Sequence, residues 1–145
     1  MTQTPPSAIR AAGELRTVFS RLRRRFREVA GVGDLTPSQT SVLSRLAKSG
    51  PATATELAAA ERVRPQSMTA TLAAIEQHGY LTRTPDPHDG RRQLISLSDA
   101  GAEFVEGTRR VREEWIAAAL ATDFTEAERQ TILAALVLLD RLAEK

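Results

Sequence analysis

Apolar residues return at helical spacing along the start of the chain. Ile9, Ala12, Leu15, Phe19, Leu22, Phe26 and Val29 fall three or four positions apart, which lines them along one face of a helix. The pattern predicts a helix over residues 7–30, with Ser7 as N-cap and Gly31 and Gly33 ending it. Thr36-Pro37-Ser38-Gln39 opens a second helix. Thr36 caps it, Pro37 takes a first-turn position where no N–H is needed, and Gln39 completes a capping box. Val42, Leu43 and Leu46 are its inward positions, and Gly50-Pro51 ends it. Thr53-Ala54-Thr55-Glu56 repeats the capping-box pattern for a third helix, with Leu57, Ala58 and Ala60 inside. After a short turn over Arg62 to Arg64, Pro65 starts a fourth helix. Met68, Leu72 and Ile75 form its buried edge, and Gly79 closes it.

The period then changes from helix to strand. Residues 80–84 and 93–97 read as short strands, Pro85 and Pro87 break the first, and Asp89-Gly90 supplies the turn between them. Ile95 and Leu97 share a strand face that can pack on the helices. Ser98 caps a long helix over residues 99–121, striped by Phe104, Thr108, Val111, Trp115 and Ala119. Thr125-Glu126-Ala127-Glu128 is a further capping box. It opens a last helix to Ala143 whose apolar face is Ile132, Leu133, Leu136, Leu139 and Leu142. The fold class expected is mainly α with a small β-hairpin wing. Residues 36–97 form a winged helix-turn-helix inside a single domain of residues 1–145. Residues 7–30 and 98–143 flank it with more apolar helix than the lobe needs. Symmetric self-association is the economical use for that surface, and an intramolecular bundle is the alternative.

Composition narrows the class without changing the fold. Aromatic residues make up 4% of 145, so the core must come from Leu, Val, Ile and Ala. With no cysteine, disulfides, Cys-ligated zinc and thiol redox sensing by this chain are excluded. No apolar run nears the roughly 18 residues of a membrane span, and the N-terminus lacks a signal-peptide layout, so a cytoplasmic protein is expected. His78 and His88 are the only histidines. No phosphate loop, metal-ligand cluster or nucleophile with a base stands at a recognisable spacing, so no catalytic residue, metal or cofactor is expected.

The net charge of +2 permits a nucleic-acid partner without demanding one. Its distribution says more: between Arg10 and Arg27 stand seven Arg and one Glu. These are either a solvated face whose stems cover apolar neighbours or contacts for phosphate or an anionic ligand. On the fourth helix, Gln66, Ser67, Ala70, Thr71 and Ala74 face away from the buried edge. That face is short and uncharged, as a helix lying against base edges requires, although an ordinary polar surface has the same look. Arg64 precedes it, and the hairpin tip carries His88, Asp89, Arg91 and Arg92. Arginine at such a tip suits a narrow minor groove, and Asp89 is expected to hold the Arg91 guanidinium in one orientation. A solvent-exposed turn with a weak surface ion pair is the alternative. His88 would sit near phosphate, where its charge near neutral pH would tune affinity.

Asp89-Gly90-Arg91, then Arg92 to Ser96, then Leu97-Ser98-Asp99-Ala100-Gly101, resembles the wing pattern of MarR-type transcriptional regulators. That pattern is Asp-x-Arg, five residues, Leu-Thr, two residues, Gly; Ser98 stands here for Thr and keeps the capping hydroxyl. Asp86-Pro87-His88 and Ile75-Glu76-Gln77-His78-Gly79-Tyr80-Leu81 also match the family's style, and the order of elements agrees along nearly the whole chain. The resemblance implies a homodimer on pseudo-palindromic double-stranded DNA, most often a repressor. Its recognition helix (residues 65–78) would lie in the major groove and its wing (85–92) in the minor groove. By position, Arg91 is the minor-groove arginine and Asp89 its orienting partner. Many members have a larger residue where Ala70 stands, which shifts base readout to Gln66, Ser67 and Thr71. The first and last two helices would build the dimer. The resemblance also implies relief by a small-molecule effector such as an anionic aromatic acid. It would be bound between the first, second and fifth helices, where Arg16, Arg21 or Arg45 could meet a carboxylate. A winged helix serving as a protein-interaction module, its Arg-rich first helix docking an acidic partner, is the competing reading.

Overall fold

The protein is described by a computed structural model that covers residues 3–145. Helix α1 runs Pro6–Ala30, α2 Pro37–Ser49, α3 Ala54–Glu61 and α4 Pro65–Gln77. Strand β1 (Ala52–Thr53) precedes α3, and β2 (Leu81–Pro85) and β3 (Gln93–Leu97) form the hairpin. Helices α5 (Asp99–Asp123) and α6 (Glu126–Ala143) complete the chain. This is the winged helix-turn-helix expected from the sequence, mainly α with a small antiparallel sheet.

The local signals place most of the boundaries. All the capping boxes form: Thr36 with Gln39, Thr53 with Glu56, and Thr125 with Glu128. Each satisfies two N–H groups that a helix start would otherwise leave unpaired. Ser7 does not cap α1. The helix begins one residue earlier, with Pro5 at the N-cap and no side-chain cap bond. Pro6 has no N–H and its fixed φ is already helical, so the Pro-Pro pair starts the helix ahead of the serine. Strand β2 begins at Leu81 rather than Tyr80 and retains Pro85, which lies on the sheet's outer edge where a missing N–H is tolerated.

Strand β1 has no counterpart in the sequence reading, because two residues carry no periodicity. It pairs Ala52 with Ile95 and Thr53 with Leu94, giving the order β1-β3-β2. Thr53 is thus both a strand residue and the N-cap of α3. The wing is rooted in this way on the first helix of the helix-turn-helix.

The core lies inside this lobe. Leu35, Val42, Leu43, Leu46, Leu57, Ala58, Met68, Leu72, Ile75 and Ile95 form one buried cluster. Ala60, expected inside, is exposed on α3. By contrast, α1 and α6 contain no buried residue and α5 contains only Gly101. Phe19, Leu22, Leu133, Leu136, Val137, Leu138 and Leu142 stand exposed along α1 and α6. A monomer gains nothing by displaying that much apolar surface.

Candidate nucleic-acid interface

Helix α4 is pinned by the spacing of its apolar residues. Met68, Leu72 and Ile75 are buried, so the helix shows Gln66, Ala70, Ala73 and Gln77 to solvent, flanked by Ser67 and Thr69. Gln66, Ser67 and Ala70 are exposed, as their positions predict. Thr71 is only half exposed, and its hydroxyl donates to the Ser67 carbonyl at 2.9 Å. That donation uses the hydroxyl's one proton, so Thr71 presents a methyl group and an acceptor rather than a donor. Thr69, Ala73 and Gln77 belong to the outer face as well. Counting from the buried edge at 100° per residue would have found them. Arg64, exposed, occupies the N-cap without a side-chain cap bond.

The wing is closed by its own backbone. The Asp86 N–H donates to the Arg92 carbonyl at 2.9 Å, and the Arg92 N–H donates to the Asp89 carbonyl at 2.9 Å. The Asp86 carboxylate accepts the His88 N–H at 2.9 Å. Asp89 does not hold the Arg91 guanidinium. One of its carboxylate oxygens accepts the Arg91 backbone N–H at 3.1 Å, and the other lies 3.8 Å from Arg92 Nε. An aspartate two residues before a backbone N–H closes an Asx-type turn, and that local geometry wins over a reach to the side chain. Arg91 therefore has a fixed backbone and an exposed side chain with no ion-pair partner among the described residues.

Helix and wing are fixed to each other at one junction. An Arg83–Glu76 ion pair ties β2 to the last turn of α4. The Ser98 hydroxyl donates to the Gly79 carbonyl at 2.6 Å and accepts the Gly101 N–H at 3.0 Å, while the Ser98 N–H donates to the Tyr80 carbonyl at 3.0 Å. His78, Tyr80 and Phe104 stack at 5.5 and 4.8 Å between ring centroids. Ser98 was legible as a helix cap but not as the link to Gly79, which depends on a contact across 19 residues.

A second feature lies between α1, α2 and α5. Arg23, Phe26, Arg27, Thr40, Ser41 and Arg112 line a cleft of about 260 Å³. Arg27 donates to the Leu35 carbonyl at 3.1 Å and Arg112 to the Phe26 carbonyl at 3.4 Å, and neither forms an ion pair among the described residues. Burial, and then the charge of Arg27, lower the pKa of the Arg112 guanidinium. The expected arginines are elsewhere. Arg16 and Arg21 are exposed on α1 and do not line the cleft. Arg45 donates from Nε to Glu61 at 2.6 Å, a carboxylate that satisfies it inside the lobe.

Glu61 also accepts the Ser41 hydroxyl at 2.7 Å. Burial alone would raise its pKa, but the hydrogen bonds from Arg45 and Ser41 prevail and hold it below the ordinary carboxylate value. A carboxyl that titrates lower in the folded state stabilises the fold above its unfolded value, near about 4.3, and loses that contribution as pH falls through the folded one. Glu61→Gln should therefore flatten the acid limb of the stability curve, read as urea midpoints between about pH 3 and 6. An unchanged slope would show that this pair carries no such linkage.

The MarR family pattern matches residues 35–92, the stretch that holds all of the core cluster but Ile95, together with α4 and the wing tip. An HTH-type transcriptional regulator of Mycobacterium tuberculosis is 40% identical over 139 residues, 96% of each chain. A transcriptional regulator protein of Pseudomonas aeruginosa, known from its crystal structure, is 36% identical with a TM-score of 0.88, over 98% of this chain and 99% of that one. A MepR variant of Staphylococcus aureus, solved bound to an oligodeoxyribonucleotide, shares the fold at a TM-score of 0.70 and 21% identity, over 91% of this chain and 97% of that one. No helix among the described residues is long and apolar enough to cross a membrane. The wing motif, the winged-helix lobe and this identity along almost the full length agree, and the chain belongs to the MarR family of transcriptional regulators.

Proposed function

We propose that the protein is a homodimeric repressor that binds pseudo-palindromic operator DNA and is released by a small anionic effector. Helix α4, from residue 65 to its cap at His78, enters the major groove, with Gln66 and Ser67 reading base edges and Ala70 and Thr71 offering methyl contacts. The wing, residues 85–92, lies along the minor groove, with Arg91 inserted and Arg64, His88 and Arg92 near the backbone. The observation that carries this is the tip itself. Asp89 accepts from the Arg91 backbone, so the guanidinium is exposed and has no ion-pair partner among the described residues. A MepR variant of the same fold, solved bound to an oligodeoxyribonucleotide, supports DNA as the partner. The apolar side chains left exposed on α1 and α6 support the dimer, and Arg23, Arg27 and Arg112, none of them in an ion pair among the described residues, support an anion in the cleft between α1, α2 and α5.

Selection of bound fragments from the source genome tests the reading directly. A pair of recognition helices one turn of DNA apart, roughly 34 Å, requires half-sites spaced about 10 base pairs centre to centre. Affinity for the selected fragment should fall steeply with salt as phosphate contacts release counterions. Arg91→Ala should weaken binding about 10- to 100-fold at unchanged thermal stability, measured by fluorescence anisotropy and a melting curve. A folded variant with wild-type affinity would remove the wing from the interface.

A further inference from the structure

We propose that Ser41 is a positioning residue that couples an anion in the cleft between α1, α2 and α5 to the turn leading into the recognition helix. The inference rests on the anion-binding reading above and adds the route by which the anion would act. Ser41 faces two ways: it lines the cleft and its hydroxyl donates to Glu61 Oε2 at 2.7 Å. The other Glu61 oxygen accepts Arg45 Nε at 2.6 Å, so the carboxylate is held from two sides by α2. Its side chain is 15% exposed, which leaves little water to replace a lost donor.

Glu61 is the last residue of α3. The next residue, Arg62, has φ 55, the left-handed region, and its N–H donates back to the Ala58 and Ala59 carbonyls. The Val63 N–H donates to the Ala58 carbonyl, and Arg64 is already the N-cap of α4. Only Arg62 and Val63 stand between Glu61 and the N-cap of the recognition helix. A residue other than glycine in that conformation persists only where neighbours hold it.

A serine hydroxyl has one proton. A carboxylate attracted by Arg23, Arg27 and Arg112 is purely an acceptor, and it recruits Ser41 only by drawing that proton away from Glu61. Glu61 is then held through Arg45 alone, and the end of α3 is released together with the turn that aims α4. The arginines supply the anion's affinity, and Ser41 carries its effect.

The test uses the full-length protein, benzoate as the probe anion, and chloride at matched ionic strength as the control. Anion binding is read from Trp115, whose ring meets the cleft residue Phe26 edge-on at 6.2 Å. DNA affinity is read by anisotropy on the genome-selected fragment, with and without the anion. In the wild type the anion should weaken DNA binding about tenfold or more. Ser41→Ala should bind the anion within about threefold of wild type, yet its DNA affinity should change less than about twofold on loading. Its anion-free DNA affinity should already resemble that of loaded wild type. Ser41→Thr, which keeps the hydroxyl, should restore the coupling. A Ser41→Ala protein that binds the anion and releases DNA as wild type does, whatever its melting temperature, overturns the relay alone. A wild type that does not bind benzoate overturns the cleft reading and the relay together.

Discussion

Gly101→Ala should lower stability by about 3 kcal/mol or more, although it replaces a helical glycine with the best helix former. A Cβ at this position would stand 2.2 Å from the Tyr80 carbonyl oxygen and 3.0 Å from its carbon. The obstacle is backbone and cannot swing aside. The Tyr80 carbonyl accepts the Ser98 N–H, and Tyr80 is stacked between His78 and Phe104. Relief would require moving α5 off the end of α4, which breaks the Ser98–Gly79 bond as well. In a chain of this length such a loss lowers the melting temperature by roughly 6–12 °C. Gly107→Ala is the control on the same helix. A Cβ there meets nothing within 4 Å, and propensity alone should raise stability by up to about 1 kcal/mol. If both alanines behaved alike in thermal melts, the close approach at Tyr80 would not be the reason for glycine at Gly101.

Leu136→Glu should dissociate the proposed dimer and reduce operator affinity by about 100-fold or more. Leu136 is 53% exposed on α6, between Leu133 at 54% and Val137 at 64%. A leucine in a buried contact contributes about 1.5–3 kcal/mol, and in a symmetric interface the loss is counted twice, with a carboxylate to desolvate besides. Separating the two reading heads then removes the gain that linked sites give each other, commonly about 10²–10⁴. The lobe core from Leu35 to Ile95 does not include α6, so the variant should remain folded. Sedimentation velocity and anisotropy check the two parts. A Leu136→Glu protein that stays dimeric with full affinity would place the interface on another surface.

What could be read from the sequence was local. Capping hydroxyls three residues from their partners, proline at a helix start and Asp-Gly in a turn all act within one turn of chain. They placed α2, β3 and the starts of α3 and α4 almost to the residue. The wing tip was legible as a motif for the same reason, but the target of Asp89 was not. Choosing between the backbone and the guanidinium of Arg91 needs the turn geometry. Contacts between distant parts of the chain stayed hidden. Glu61 satisfies Arg45 from 16 residues away, and Arg112 meets the Phe26 carbonyl across 86. The cleft arginines come from two helices, and no spacing along the chain announces that they share a space. The apolar stripes of α1 and α6 were visible as periodicity. Which side they face depends on what lies opposite.

The strand order carries a further consequence, for behaviour in a crowd. Strand β3 is central, paired with β2 along its length and with β1 at Leu94 and Ile95. Of the two edges, β1 has only two residues and β2 has five, so β2 is the longer template on which a neighbouring chain could build. Proline at Pro85 offers that edge no N–H, and the Arg83 ion pair with Glu76 keeps charge beside it. The exposed hairpin is thereby blunted against edge-to-edge stacking, and copies gathered side by side on one stretch of DNA can touch at their wings without fusing into a shared sheet.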